Sequence, residues 1–461
     1  MRILIISLIS LLVVGASAQT TFEEVAATPE KSGGVYYAYP LDFAPQTPAP
    51  KGYKPVYISH YGRHGSRYLL SDRDYKWVID LLQQAADVQV LSPLGHSALE
   101  RLQEVWKEAE SHGDELAPLG ERQHRGIAER MFASFPEVFK GDARVFARST
   151  TSMRCRNSMD AFVDRLRELN PRLQIRHETK RVYMSYLNYH SPEHIAFNDG
   201  PWKELYRKFQ AEHTHPQRMM EALFIDPSWV RWNVNPDELM WGFYWIASDM
   251  QNMESDISFY DIFTPQELFD LWQCFNFRFY AADADWTDNH GLALRSCHPL
   301  LRNILECADA ALDPNNADRV VADLRFGHDG NVIPLCALLG LDGCTASTSD
   351  PNDFYKVWSD FKVSPMGANV QLIFYRRKGS DDVLVKFLHN EHETSIPVVT
   401  DCSPYYHWND VRAYWLLVSH LFRFFRASDC KSGAFFEKNC NYIWTIRKIL
   451  LYLPRYNKGF P

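Results

Sequence analysis

Arg63-His64-Gly65-Ser66-Arg67 follows closely on Val56-Tyr57-Ile58-Ser59, a short run of the kind that forms a buried strand. The five residues place one imidazole between two guanidinium groups on a glycine turn. A guanidinium presents a rigid fork of N–H donors that matches phosphate oxygens in a bidentate contact. An imidazole beside a bound phosphoryl group can attack the phosphorus as a nucleophile. We therefore expect a strand that leads into a loop able to hold phosphate.

The composition is that of an ordinary globular protein. The 461 residues are 46% hydrophobic and 23% charged, which is enough for a large core in two or three domains. The formal net charge of −8 argues against a general nucleic-acid binder, because such proteins carry basic faces. It leaves a small anionic substrate open, since a local group of arginines can hold phosphate inside an acidic protein.

The N-terminus has the pattern of a signal peptide. Arg2 precedes an apolar run over residues 3–14, and Ala16-Ser17-Ala18 is a small-residue cleavage site. We predict a signal peptide at residues 1–18, cleavage after Ala18, and a periplasmic or secreted protein. An uncleaved anchor is the alternative, although the apolar run is short for a membrane span. No later stretch has 18 uninterrupted apolar residues, so we predict no transmembrane helix.

Strands alternate with helices in two parts of the chain. This alternation predicts a three-layer α/β/α sandwich with a mostly parallel central sheet. We expect residues 19–185 and 312–461 to form this domain, and residues 186–311, rich in tryptophan and phenylalanine, to form an inserted, mostly helical, smaller domain. Residues 19–55 are expected to be an extended arm, and 173–184 to be extended as well. The predicted strands are 56–59, 144–147, 320–326, 370–376 and 383–388, and the predicted helices are 74–86, 93–109, 120–135, 158–169, 331–341, 414–425 and 442–453.

Three loops share one arrangement, in which a short apolar strand is followed by a polar loop and then by a helix. They are residues 63–67, residues 148–155 and residues 327–331. Ligands of open α/β sheets bind at the carboxyl ends of the strands, where helix N-termini also present N–H donors. The three loops are therefore expected to meet around one anion.

The same three loops resemble motifs of the histidine phosphatases, in the acid phosphatase and phytase branch. The family signature R-H-G-x-R-x-P is matched from Arg63 onward, except that Leu69 stands at the position of the proline. His328-Asp329 stands where the family has its H-D pair. The family segment R-S-T-x-x-x-R-T aligns with residues 148–155, which gives Arg154 as the third phosphate-binding arginine and Cys155 in place of threonine.

Within that branch the chain is most similar to the multiple inositol polyphosphate phosphatases. Arg154-Cys155, the segment Leu388-His389-Asn390-Glu391 and the chain length fit this group. One difference is that the group has H-A-E where this chain has His328-Asp329-Gly330.

The resemblance implies a role for each residue of the motifs. His64 would be the nucleophile that becomes phosphohistidine, and Asp329 would protonate the leaving group. Arg63, Arg67 and Arg154 would bind the phosphate, with a further hydrogen bond from His328. No metal or other cofactor is implied.

Each of these residues also has a structural alternative. His64 would then be a turn histidine, and the arginines of its loop would be surface ion-pair partners. Arg148 or Arg156 would bind phosphate in place of Arg154. His328-Asp329 would be only a helix cap.

The expected substrate is a small phosphorylated molecule, with phytate or another inositol polyphosphate as the first candidate. A broad-specificity acid phosphatase for sugar phosphates, a non-catalytic phosphate-binding protein and a mutase are the alternatives. Arg73, Lys180 and Arg181 would extend the basic surface for a substrate with many phosphates, or are ordinary surface charges. The oligomeric state is left open.

Two further features bear on metals and disulfides. The chain has nine cysteines, an odd number, and no C-x-x-C motif, so disulfide pairing stays open and a zinc knuckle is not expected. The run His389-Asn390-Glu391-His392-Glu393 has a metal-like composition. It lacks a further ligand from a distant part of the sequence, so a polar loop rim is the favoured interpretation.

Overall fold

The structure is a computed structural model that describes residues 21–424. The predicted signal peptide at 1–18, the helix predicted at 442–453, and Cys430 and Cys440 lie outside the described residues. None of the helices in the described part is both long and apolar enough to cross a bilayer.

A mixed sheet forms the centre of the molecule. In residues 21–424 it has eight strands in the order β3-β2-β4-β1-β5-β6-β7, with β8 paired to β6. The pairs among β3, β2, β4 and β1 are parallel, and those from β1 through β5 to the other edge are antiparallel. The α/β class is thus confirmed. The sheet is mixed and not mostly parallel as predicted, because β5 to β8 add antiparallel pairs, and its parallel half carries the predicted loops. The strands are β1 Tyr53–Arg63, β2 Arg144–Ser149, β3 Gln174–Thr179, β4 Ala322–Gly327, β5 Asn369–Arg377, β6 Val383–His389, β7 His392–Thr394 and β8 Tyr405–His407.

The two central parallel strands set the position of the site. All six residues of β4 are buried, as expected for a parallel strand covered on both faces. β1 is longer than the predicted 56–59, and its last seven residues are buried. The register pairs Arg63 with Gly327, so both strands end at the same edge of the sheet.

The helices follow the amphipathic pattern of the sequence. Pro93–Ala109 has the predicted bounds, while Asp72–Asp87 begins two residues early because Ser71 and Asp74 form a capping box. Besides helical residues 21–27 and a short segment that begins at Met184, the described helices outside 186–311 are α1 Asp72–Asp87, α2 Pro93–Ala109, α3 Pro118–Ser134, α4 Met153–Leu169, α14 Asp329–Leu339, α15 Phe354–Val357, α16 Asp360–Val363 and α17 Trp408–Phe424.

Residues 186–311 are helical, as predicted, and all of them are described; none lies in a strand of the sheet. The helices here, with the one that leads into them, are α5 Met184–Leu187, α6 Pro192–Asn198, α7 Trp202–His213, α8 Gln217–Leu223, α9 Pro227–Asn233, α10 Pro236–Asp249, α11 Pro265–Asp283, α12 Leu292–Ser296 and α13 His298–Leu312. Two large hydrophobic clusters join this segment to the rest of the molecule, one through Val78 and Phe243, the other through Tyr57 and Phe277. Because the core crosses the predicted boundaries, the division into two domains stays a prediction.

The extended arm predicted for residues 19–55 is wrong for its described beginning. Residues 21–27 are helical and Pro29–Tyr36 forms 3₁₀ turns. Val25, Val35 and Tyr36 are buried in the core, so this segment packs as a covering element and not as a loose arm. The segment predicted as extended at 173–184 is a strand only as far as Thr179. Short 3₁₀ turns occupy Arg181–Tyr183, Met250–Asn252, Tyr260–Ile262, Thr287–Asn289 and Pro351–Asp353.

Candidate active site

The loop after β1 is held against the ends of the neighbouring strands. The N–H of Arg63 donates to the carbonyl of Ala368 (2.7 Å), and the N–H of His64 donates to the carbonyl of Gly327 (3.0 Å). The second bond brings His64 beside His328, the residue after β4. At Gly65, a Cβ atom would lie 2.5 Å from the carbonyl oxygen of Gly120, so only glycine fits this approach to α3.

Arg63 is held in place by carbonyl groups from distant segments. Its side chain is 0% exposed, and Nη1 donates to the carbonyls of Val35 (2.5 Å) and Ser364 (2.8 Å). Nη2 lies 3.0 Å from Oδ2 of Asp329. Within the described residues, Nε and Nη2 have no hydrogen-bond partner of good geometry. The guanidinium is therefore fixed through one nitrogen, and its other N–H groups are available to an anion.

Arg67 is fixed in a similar way. Nη1 donates to the carbonyl of Tyr68 (2.6 Å) and Nη2 donates to the hydroxyl of Tyr36 (3.1 Å). The guanidinium also lies over the Tyr36 ring, 4.8 Å from its centre. Its Nε is buried without a partner in the part of the chain that is described. Arg67 thus also keeps an N–H donor that the protein does not use.

The imidazole of His64 is in the state that a nucleophile requires. Nδ1 lies 2.9 Å from the carbonyl of Gly65, which makes Nδ1 the protonated nitrogen and leaves a lone pair on Nε2. Burial, followed by the charges of Arg63, Arg154 and Arg67, lowers the pKa of His64 well below its usual value. The ring is therefore neutral at physiological pH, although arginines surround it.

His328 and Arg154 form the opposite side of the site. The rings of His64 and His328 have centres 5.8 Å apart. Nε2 of His328 lies 3.2 Å from Oγ1 of Thr150, and Nη2 of Arg154 approaches its Nδ1 at 3.5 Å. Nη1 of Arg154 donates to both carboxylate oxygens of Asp114 (2.7 and 2.6 Å). Burial, and then the charge of Arg154, lowers the pKa of His328 to about 4.

Asp329 opens α14 and faces the same arginine. Oδ1 accepts the N–H of Gly330 (2.8 Å), while Oδ2 is the atom that pairs with Arg63. Burial opposes ionisation of this carboxyl, but the Arg63 charge outweighs it and lowers the pKa of Asp329. His328 precedes the helix without a side-chain capping bond to any described residue.

The alternatives to Arg154 are engaged elsewhere. Arg148 is buried against Asp323 and lies over the ring of Phe146. Arg156 is half exposed and lies 3.7 Å from Asp160 on its own helix. Only Arg154, of the three arginines weighed from the sequence, contacts His328.

The outer basic residues show no such convergence. Arg73, Lys180 and Arg181 are all exposed. Lys180 forms an ion pair with Glu178 (2.9 Å). An extended basic surface around the site stays a prediction.

Several residues of the site were not found from the sequence. The hydroxyl of Ser66 donates to Oδ1 of Asn252 (2.7 Å), and the backbone N–H of Ser66 donates to Oε1 of Gln123 (2.8 Å). The loop is therefore bound both to the helical segment and to α3. At Gly330, a Cβ atom would lie 3.4 Å from the His190 ring and 3.8 Å from the Asp283 carboxylate. Burial, and then the Asp329 charge, raises the pKa of Asp283 to about 7. Asn252, His190 and Asp283 lie far from the motifs in sequence, and no local pattern marks them.

Comparison with known families identifies the class of protein. The model of the histidine phosphatase superfamily (branch 2) matches residues 62–390, and the chain belongs to this family. The resemblance found in the three loops is thereby confirmed. No curated protein is significantly similar to the chain in sequence.

Solved structures share the fold at low identity. Multiple inositol polyphosphate phosphatase from Bifidobacterium longum, in complex with phosphate, has 19% identity and a TM-score of 0.69, covering 84% of this chain and 98% of that chain. The same enzyme in complex with inositol hexasulfate has 18% identity and a TM-score of 0.68, covering 84% and 97%. The phytase from D. castellii has 15% identity and a TM-score of 0.62, covering 84% and 85%.

Proposed function

We propose that the chain hydrolyses phosphate monoesters through a phosphohistidine formed on His64, and that its substrates are inositol polyphosphates such as phytate. One observation carries the proposal: a buried, neutral imidazole lies among Arg63, Arg67 and Arg154, and each of these arginines keeps a buried N–H group without a hydrogen-bond partner in the described residues. These guanidinium groups stabilise the negative charge of the phosphoryl group in the transition state. Because they are already fixed, they do not have to reorganise during the reaction.

In the first step Nε2 of His64 attacks the phosphorus in line. An N–P bond forms, the ester P–O bond breaks, and the leaving alkoxide takes a proton from Asp329. Binding of the phosphate allows Asp329 to hold this proton, because the phosphate competes with Asp329 for the guanidinium of Arg63. Losing that cation raises the pKa of Asp329, so the carboxyl holds a proton when the substrate is bound.

In the second step a water molecule attacks the phosphohistidine. Asp329, now a carboxylate, accepts the proton of the water as the N–P bond breaks. Inorganic phosphate leaves and His64 returns to the neutral form. The arginines hold the equatorial oxygens through both steps, so the residues of this chain suffice for the charge stabilisation.

The choice of inositol polyphosphates rests on two sources of support. One is the Arg154-Cys155 and Leu388–Glu391 resemblance to that group. The other is the shared fold with the multiple inositol polyphosphate phosphatase from Bifidobacterium longum. A broad acid phosphatase for sugar phosphates is favoured by a different observation, the neutralisation of Lys180 by Glu178, which leaves fewer free cations beyond the first phosphate. We also propose export, from the signal-peptide pattern; N-terminal sequencing of the periplasmic or secreted protein should begin at Gln19.

Phosphate release from phytate and from glucose 6-phosphate tests the proposal. The wild type should release phosphate from phytate with the higher kcat/KM, and His64→Ala should abolish release from both. His96→Ala, a histidine exposed on α2, is the matched control and should leave both rates unchanged. Equal rates in the wild type and in His64→Ala would refute the nucleophile, while preference for the sugar phosphate would favour the broad phosphatase.

A further inference from the structure

Two thiols and an imidazole converge outside the phosphate site. Sγ of Cys336, Sγ of Cys344 and a ring nitrogen of His389 all lie within 4.8 Å of one another. Cys336 belongs to α14, Cys344 follows the end of that helix, and His389 ends β6. Both cysteines are buried. Three parts of the fold thus bring two sulfur atoms and one ring nitrogen together.

The imidazole is oriented toward the thiols. Nε2 of His389 lies 2.8 Å from the carbonyl of Val363, so it carries the proton and donates it there. Nδ1 therefore keeps its lone pair, and it lies 4.0 Å from Sγ of Cys344. A backbone carbonyl that fixes the remote N–H is the usual support of a metal-binding histidine.

Both thiols are buried at this point of the fold. Thiolates are the form in which cysteine binds metal. A metal cation therefore has to replace the thiol protons when it binds.

We propose that Cys336, Cys344 and His389 bind one Zn²⁺ ion. Two thiolates and an imidazole form a donor set that zinc prefers among the divalent ions. Bonds of about 2.3 Å to sulfur and about 2.0 Å to nitrogen require the ligand atoms to approach by only about 1 Å. Binding releases the two thiol protons. His389 also lines a cleft of about 540 Å³ with Lys362 and Asn390, which gives the ion a route from solvent and a place for a water ligand.

The proposal changes the interpretation of the run from His389 to Glu393. The sequence offered no distant ligand to complete that run, and the fold supplies two. The other members of the run point elsewhere, because Glu393 pairs with Lys386 (2.9 Å) and His392 lies 3.8 Å from Asp42.

A second group of similar composition is excluded by its hydrogen bonds. Asp401, Cys402 and His407 also come together. However, both ring nitrogens of His407 bind carboxylates, Nδ1 that of Asp382 (2.9 Å) and Nε2 that of Asp401 (3.0 Å). Both ring nitrogens of His407 are therefore engaged by carboxylates, and neither is free to bind an ion.

The proposed ion would be bound by residues other than those of the phosphate site. Val363, whose carbonyl holds His389, precedes Ser364, whose carbonyl accepts Nη1 of Arg63 (2.8 Å). The cluster therefore touches the backbone that supports the site, while the ion itself contacts none of the residues assigned to the reaction. Metal binding can consequently be tested without measuring activity, and its failure leaves the proposed function untouched.

Titration of the reduced, metal-free chain with Co²⁺ and Zn²⁺ is the direct test. We expect one Co²⁺ per chain, with sulfur-to-cobalt charge-transfer absorption that Zn²⁺ abolishes. Cys336→Ser, Cys344→Ser and His389→Ala should each weaken binding at least about tenfold. Cys274→Ser, at a buried cysteine outside the cluster, is the matched control and should bind as the wild type does.

A measurement on the wild type avoids dependence on the folding of the variants. Zn²⁺ should protect Cys336 and Cys344 from alkylation and leave the rate at Cys402 unchanged. Binding that survives in the Cys336→Ser/Cys344→Ser double variant would overturn the proposal. A Cys336–Cys344 disulfide, found by peptide mapping of chain isolated in the presence of Zn²⁺, would overturn it equally.

Discussion

Arg63 joins the two halves of the proposed chemistry in one side chain. Through Nη1 it is anchored to the carbonyls of Val35 and Ser364, and through Nη2 it faces Asp329. The same cation therefore lowers the pKa of Asp329 in the free protein and would bind phosphate in the complex. Because Arg63 would exchange Asp329 for phosphate, the protonation state of Asp329 depends on whether substrate is bound.

Arg63→Lys should impair turnover although the charge is kept. An ammonium cannot reach both carbonyls and an anion with the fixed geometry of a guanidinium. We expect kcat to fall about 10²- to 10³-fold, as for the loss of one transition-state donor. Arg156→Lys on the surface of α4 is the matched control. A kcat within a factor of two of the wild type for Arg63→Lys, measured by steady-state phosphate release, would contradict the assignment.

Asp329→Asn should affect esters according to their leaving groups. A poor alkoxide leaving group needs the proton, whereas p-nitrophenolate leaves without one. We expect a loss of about 10²- to 10⁴-fold with sugar or inositol phosphates and a much smaller loss with p-nitrophenyl phosphate. Steady-state rates on both substrates measure the difference, and equal losses would assign Asp329 a structural role.

At the scale of elements, the loop after β1 depends on a close approach to α3. Gly65 touches the backbone of Gly120, whereas Gly330, at the start of α14, has only ordinary contacts where its Cβ would lie. The two glycines are therefore matched probes of the same site.

Gly65→Ala should disrupt the site and Gly330→Ala should not. The new methyl group at position 65 would lie 2.5 Å from a backbone oxygen and would push His64 out of line. A displacement of about 1 Å is enough to cost about 10²-fold in rate. Rates of phosphate release by the two variants test this difference, and circular dichroism checks that each variant folds. Similar rates for the two variants would show that the loop tolerates movement.

Buried histidines make the elements around the site sensitive to acid. His60 in β1 and His124 in α3 are fully buried, and burial lowers the pKa of each to about 3. In the unfolded chain a histidine has a pKa of about 6.5, so between these values only the unfolded state binds the proton. The free energy of unfolding therefore falls as the pH falls.

His124→Gln should reduce this pH dependence. Removing one such group makes the slope of the unfolding free energy between pH 6 and 4 shallower by up to about 1.4 kcal/mol per pH unit. Urea denaturation at several pH values measures the slope. His96→Gln on the surface of α2 should leave the slope as in the wild type, and an unchanged slope in His124→Gln would contradict the burial argument.

At the scale of the whole molecule, the sequence predicted the parallel half of the sheet because local signals agree there. Short apolar strands, polar loops and amphipathic helices follow one another at 56–86, 144–169 and 320–341. The residues named in the loops converge because parallel strands end at one edge. The segment at 21–36 was missed because its burial depends on contacts with distant helices, as in the edge-to-face contact of Phe22 with Phe269.

The parts of the site that the sequence did not reveal have a common physical origin. The carbonyls of Val35 and Ser364 that hold Arg63 are backbone groups, which no residue-type pattern marks. Cys336 and Cys344 lie far in sequence from His389, so only the fold shows that they are neighbours. A sequence pattern shows which side chains carry charge. It does not show which distant backbone groups hold those side chains in place.

In the proposed reaction, His64 carries the phosphoryl group from the first step to the second. Rapid acid-free quenching of the chain with ³²P-labelled phytate, followed by peptide mapping, tests it most directly. We expect close to one acid-labile, alkali-stable label per chain, on the peptide that contains His64, and no label in His64→Ala. Phosphate release without a labelled intermediate, or a label on another residue, would contradict it.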